Sequence, residues 1–161
     1  MKEAISAMAS LDLAEYLAQY RHVVEHALAR HLPPADQEPR LVHEAMRYAT
    51  LSAGKRLRPI FSMAVAQLAG REPGEVLDAA CAVELVHTSS LILDDLPCMD
   101  DAQERRGQPC THVKFGKATA LLASMALLSR AFDLAATNAA AVRPAAAGEV
   151  VSMLSRAVGS D

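Results

Sequence analysis

Tryptophan is absent from the 161 residues, and aromatic side chains make up only 4% of them. Apolar residues also fail to alternate with polar ones, so the two main signals of β-strands are missing and a sheet-based fold is excluded. Cysteine is scarce and odd in number. Cys81, Cys98 and Cys110 have neither C-x-x-C nor Cys/His zinc spacing, which rules against a disulfide framework and reads as free thiols in a reducing cytosol. Positive charge is not in excess: 16 Lys and Arg stand against 19 Asp and Glu, a net charge of −3. No general basic surface for nucleic acid or anionic lipid exists, and any anion site has to be local. Long hydrophobic runs are missing too. The charge-free stretch from Ala118 to Ser129 is about half of the roughly 20 residues that a spanning helix needs. The apolar opening from Ala4 to Leu11 is hemmed in by Glu3, Asp12 and Glu15, a poor signal peptide. The expectation is a cytoplasmic chain that does not span a membrane.

What is present is a 52% hydrophobic composition rich in Ala and Leu, with apolar residues recurring at steps of three and four. Such periodicity predicts an all-α fold with a core of useful size. Leu13, Leu17, Tyr20, Val24 and Leu28 form the stripe of a first helix, stopped by Pro33-Pro34. A second helix is expected from Pro39 to Ser52 and a third from Leu57 to Ala69, with Gly54 between them and Gly70 closing the third. Asp78 to Met99 is the most apolar segment and reads as a buried helix, followed by a polar loop over 100–109. Further helices are expected from Phe115 to Asn138 and, after Pro144, from Ala145 to Val158.

Chemistry concentrates at the end of that buried helix. Asp94, Asp95, Asp100 and Asp101 lie within eight residues, and like charges so close repel one another unless a cation neutralises them. Carboxylate oxygens suit Mg²⁺, which takes one or two of them and fills its shell with water and phosphate oxygens. An Asp-rich helix end is often merely solvated, but the apolar run before this one argues for a site. Cationic residues flank it on both sides. Lys55 and Arg58 are i, i+3 at a helix start, where free N–H groups also favour phosphate. Arg105 and Arg106 offer planar forks for phosphate oxygens in a loop ended by Gly107. Gly54-Lys55 is not a Walker loop, because Ala49 stands at the first glycine position and Arg56 at the Ser/Thr position.

Two apparent metal motifs are weak. His22, Glu25 and His26 match H-x-x-E-H, but the Val24 stripe turns both histidines to the opposite, exposed face. Glu84 and His87 match E-x-x-H without the second copy that a di-iron bundle requires. His87 lies two turns before Asp94, however, and shares its face.

The stretches GKRLRP and VELVHTSSLILDDLPCMDDAQERRGQPCTHVKFGKATALLASMALLSRAFDLA resemble trans-prenyl diphosphate synthases, most of all the bacterial geranylgeranyl diphosphate synthases of carotenoid pathways. Asp94-Asp95, four residues and Asp100 match the first aspartate-rich motif in its longer form. A terpene cyclase is a weaker match, since Cys98 stands where the last Asp of D-D-x-x-D belongs. The resemblance implies the N-terminal half of the isoprenoid synthase helical bundle, one partial domain over 1–161. It implies that Asp94 and Asp100 ligate Mg²⁺ on an allylic diphosphate, with Asp95 supporting them and Arg105 holding that diphosphate. Lys55, Arg58, His87 and Arg106 are implied to hold the diphosphate of isopentenyl diphosphate. Ser89 and Ser90, one to two turns before the first aspartate, are implied to leave room for a long product such as geranylgeranyl diphosphate. A second aspartate-rich motif, which completes the site in the family, is not found: beyond Asp101 stand Glu104, Asp133, Glu149 and Asp161. The expectation is therefore a truncated prenyltransferase, weakly active or inactive alone. The alternative is a non-catalytic subunit of a full-length synthase, as a homodimer or heterodimer.

Overall fold

Asp12 starts the first helix: its Oδ1 accepts the N–H groups of Ala14 at 2.8 Å and Glu15 at 3.3 Å, satisfying donors that a helix start leaves free. The computed structural model describes residues 12–160. Over that span the chain forms α1 (Leu13–His31), α2 (Arg40–Thr50), α3 (Leu57–Leu68), α4 (Leu77–Asp94), α5 (Thr111–Phe115), α6 (Lys117–Val142) and α7 (Ala147–Val158). The all-α expectation holds. A single two-stranded hairpin interrupts it, β1 (Glu104–Arg105) and β2 (Gln108–Pro109), inside the segment expected to be loop. Its turn residues, Arg106 at φ 55° and Gly107 at φ 79°, both take positive φ, the geometry that matches the twist of a tight hairpin.

Helices α4 and α6 pack against each other at the centre. Their seam is lined by small residues, Ala82, Ala120, Ala123 and Ala131, which let the two backbones approach, and by Leu85, Ile92 and Leu127. Val24 and Leu28 of α1, Met46 of α2 and Met63 of α3 close the core around it. The α1 stripe is buried only in its second half, for Leu13 stays 65% exposed. Where α1 ends, Arg47 of α2 donates to the carbonyls of Ala29, Leu32 and Pro33 at 3.1–3.4 Å, covering acceptors that the helix end leaves open.

Two boundaries differ from expectation. Helix α4 ends at Asp94 rather than Met99, because Pro97 cannot donate to a helix ladder and restricts the residue before it. A separate short helix, α5, precedes the helix expected from Phe115 to Asn138, which starts at Lys117 after Gly116 at φ 83° and runs on to Val142 as α6. The segments Pro73–Asp94 and Lys117–Val142 are, contrary to the expectation from charge-free runs, long and apolar enough to cross a membrane by length and composition. They are also the two helices that pack face to face in the core.

Candidate functional site

At about 100° per residue, α4 presents three faces. One, with Leu85, Ser89 and Ile92, is buried, and Ser89 on it meets α6. A second carries Glu84 and Asp95, three turns apart, both only 3% exposed. The third, with Val83, His87, Ser90 and Asp94, is open or half-buried.

Each buried carboxylate is gripped by an arginine from a different loop. Arg56, itself 3% exposed, donates from Nη1 to Glu84 Oε1 at 3.0 Å and from Nη2 to the Ser52 carbonyl at 2.6 Å. Arg105 holds Asp95 through two nitrogens: Nε lies 2.9 Å from both carboxylate oxygens and Nη2 2.7 Å from Oδ1. Cys110 is buried beside Asp95, and burial first, then its hydrogen bond to Asp95, push the thiol up to about 11. The two loops that bear the cations are thus fastened to one helix face.

Between them opens a cleft that brings together Lys55, Arg58, His87 and Arg106, the four residues that the resemblance groups on one diphosphate. Arg21 of α1 joins them, with Arg56 and Glu84 in the wall. Five cations therefore face the cleft against one carboxylate, and that carboxylate is already paired with Arg56. Gly54 makes the crowding possible: a Cβ there would lie 2.8 Å from Arg106 Nη1 and 3.1 Å from Arg56 Nη1. Partial burial, and then the Arg58 guanidinium, push His87 below its usual range. The Arg106 guanidinium is likewise pushed down, by burial and then by Arg56. Cations that destabilise one another in this way are the electrostatic counterpart of a polyanion. Sequence reasoning missed Arg21, Arg56 and Glu84. The i, i+4 pair Arg21 and Glu25, at the edge of the apolar stripe of α1, was the available signal for Arg21.

The aspartates are arranged differently from one another. Asp95 is engaged by Arg105, while Asp100 and Asp101 are exposed and Asp94 half-buried. Beyond α4 the chain curls back, with the Asp100 N–H donating to the Asp94 carbonyl at 2.9 Å and the Asp101 N–H to the Leu96 carbonyl at 3.1 Å. The curl places Asp100 beside the end of α4. Among the described residues, no three His, Cys, Asp or Glu side chains are gathered as a metal cage. His22 and His26 are exposed, and Glu25 between them lies 3.8 Å from Arg56.

The same elements recur in known proteins. Residues 39–159 match the family model for polyprenyl synthetase. The chain belongs to the polyprenyl synthetase family. It is 44% identical over 154 residues to the chloroplastic heterodimeric geranylgeranyl pyrophosphate synthase large subunit 1 of Arabidopsis thaliana, covering 94% of this chain and 41% of that relative. Among solved structures it is similar to an FPP/GFPP synthase from Zymomonas mobilis, with a TM-score of 0.86, 34% identity, and coverage of 92% of this chain and 53% of that one. A geranyltransferase from Legionella pneumophila gives a TM-score of 0.85 and 32% identity, covering 91% and 52%. The chain thus spans about two fifths of the length of the curated relatives it matches.

In this polyprenyl synthetase chain the two serines have separate fates. Ser89 is locked into the α4–α6 seam, where its Oγ donates to the Ser124 carbonyl at 3.0 Å and Ser124 Oγ donates to the Ser89 carbonyl at 3.1 Å. Ser90 is exposed and only donates to the His87 carbonyl at 2.9 Å. The room that the resemblance implies at Ser89 and Ser90 thus lies on two different faces of α4, one packed against α6 and one open.

Proposed function

We propose that this chain carries the isopentenyl diphosphate cleft and the first aspartate-rich motif of a prenyltransferase site, in which isopentenyl diphosphate is condensed with an allylic diphosphate to lengthen an isoprenoid chain. The observation that carries the reading is the convergence of Lys55, Arg58, His87 and Arg106 on one cleft with no free carboxylate in it. Charge-assisted bonds from these side chains suit the diphosphate of isopentenyl diphosphate. The hydrocarbon end of a substrate would lie along the open face of α4, where Val83, Ser90 and Leu93 are exposed and small Ser90 leaves room for a product of geranylgeranyl length.

Mg²⁺ fits the aspartates. Asp94 and Asp100 supply hard oxygen donors at the helix end, and two carboxylates suffice for an ion that draws its other ligands from water and diphosphate. Asp94 and Asp100 would hold it, and when bound it would neutralise the departing allylic diphosphate. Asp95, tied to Arg105, fixes the end of α4 so that its neighbours can face the ion. Arg105 lends the allylic diphosphate a partner by way of the guanidinium edge that Asp95 leaves uncovered. A cytoplasmic location belongs to this proposal and rests on the free thiols.

The test is to incubate the purified chain with Mg²⁺, farnesyl diphosphate and labelled isopentenyl diphosphate, with and without a full-length synthase. Binding of isopentenyl diphosphate by the chain with no labelled product from the chain alone supports a site without turnover, and a mixture whose product differs from that of the synthase by itself supports the subunit reading. Vigorous turnover by the chain alone overturns the expectation of weak activity. If the chain neither binds isopentenyl diphosphate nor changes the synthase's product, the prenyltransferase reading is wrong. The reading as a non-catalytic subunit draws on the exposed apolar residues Leu121, Leu122 and Met125 of α6, and co-purification with a full-length synthase is its signature.

A further inference from the structure

The buried pair Arg56–Glu84 stands in the wall of the cleft but is given no contact with a substrate or a metal. Burying two charges in a helical core is costly, and an apolar pair of similar volume would stabilise the fold as well or better. The side chains are nevertheless 1% and 4% exposed. Arg56 also takes the left-handed conformation, φ 51° and ψ 32°, which disfavours a residue with a Cβ. Its Nε has no hydrogen-bond partner among the described residues, and its nearest carboxylate is Glu25 Oε1 at 3.8 Å. Strain, burial and an incomplete hydrogen-bond set at one residue are features that stability alone does not favour.

What the pair does is geometric. Through Glu84 and the Ser52 carbonyl, Arg56 pins the segment from Ser52 to Arg56 onto α4. That sets where Lys55 and Arg58, its neighbours in sequence, enter the cleft. The same guanidinium lies beside Gly54, which is also where Arg106 Nη1 approaches. We infer that Arg56 and Glu84 are positioning residues: their ion pair fastens the Gly54–Arg58 segment so that Lys55, Arg58 and Arg106 converge on a diphosphate. The inference rests on the diphosphate reading of the cleft. With Glu84 cancelling Arg56, the pair adds little net charge and acts through placement.

The experiment uses the chain as it is, with inorganic pyrophosphate as the probe in calorimetry and thermal unfolding measured alongside. Arg56→Met and Glu84→Leu each leave a buried charge unpaired and should lower the melting temperature. The double variant R56M/E84L removes both charges and should recover the melting temperature of the wild type or exceed it. Its pyrophosphate affinity should nevertheless stay on the order of tenfold weaker, a difference of about 1.4 kcal/mol. A double variant that binds pyrophosphate as tightly as the wild type overturns the positioning role and leaves the cleft reading intact. Pyrophosphate binding that is undetectable in the wild type, or unaffected by Lys55→Ala and Arg58→Ala, overturns the cleft reading and the inference with it.

Discussion

Adjacent residues on a helix do different work, and Ser89 and Ser90 make the case. They are chemically identical and one position apart, yet about 100° of helical rotation sends the first into the α4–α6 seam and the second into the open. A Phe at 89 removes the hydroxyl that bonds to the Ser124 carbonyl and Oγ and has to displace the Ser124 side chain. Overpacking of that kind costs about 1–3 kcal/mol, whereas a Phe at the exposed 90 should shift stability by no more than about 0.5 kcal/mol. Thermal unfolding of Ser89→Phe and Ser90→Phe should separate the two, with Ser89→Phe melting clearly lower. In an active synthase carrying the same α4, it is then Ser90→Phe that should shorten the product. Equal melting temperatures for the two variants would contradict the packing described here.

At the scale of elements, the functional unit is a helix face with two loops fastened to it. The loop before α3 is held by Glu84 and the hairpin by Asp95, so the cleft exists only where those loops meet, at Gly54. Gly54→Ala tests this. The closest atom that a methyl would meet is Nη1 of the exposed Arg106, which can swing aside, while the buried Arg56 guanidinium at 3.1–3.2 Å has to give by only a few tenths of an ångström, so the fold should survive with a modest change in melting temperature. Arg106 would be displaced from the cleft, and loss of one charge-assisted contact predicts pyrophosphate binding weaker by roughly tenfold. Unchanged affinity would show that Arg106 is not part of the site. The helices themselves were legible because their stripes, prolines and glycines are local signals, as were the aspartates and the basic pairs. The hairpin was not, since two strands of two residues each, joined by the Arg106-Gly107 turn, carry no periodicity. Nor was Arg56: in the string GKRLRP it is one cation among three, and only the left-handed turn at that residue sends it inward while Lys55 and Arg58 stay exposed. Its partner Glu84 was read for its spacing to His87, whereas its role is set by a residue 28 positions earlier.

For the whole molecule, the deciding feature is how much apolar surface remains open. Phe61, Val65 and Leu68 form a stripe on α3 with exposures of 64%, 63% and 54%, and Leu122 and Met125 reach 54% and 67% on α6. Single exposed apolar residues are ordinary, but side chains this large at helical spacing form continuous patches. A net charge of only −3 offers little repulsion to keep two such patches apart. The isolated chain should therefore associate reversibly, with a weight-average mass in sedimentation that rises over micromolar concentrations. Replacing one residue pair at a time with glutamate, Phe61 and Val65 or Leu122 and Met125, should lower that mass without unfolding the chain, because the four side chains are on the outside already. The pair whose replacement gives the monomer identifies the patch that drives association. A wild-type chain that stays monomeric throughout would mean that these faces are too dispersed to act as one surface, and the subunit reading would lose its structural support.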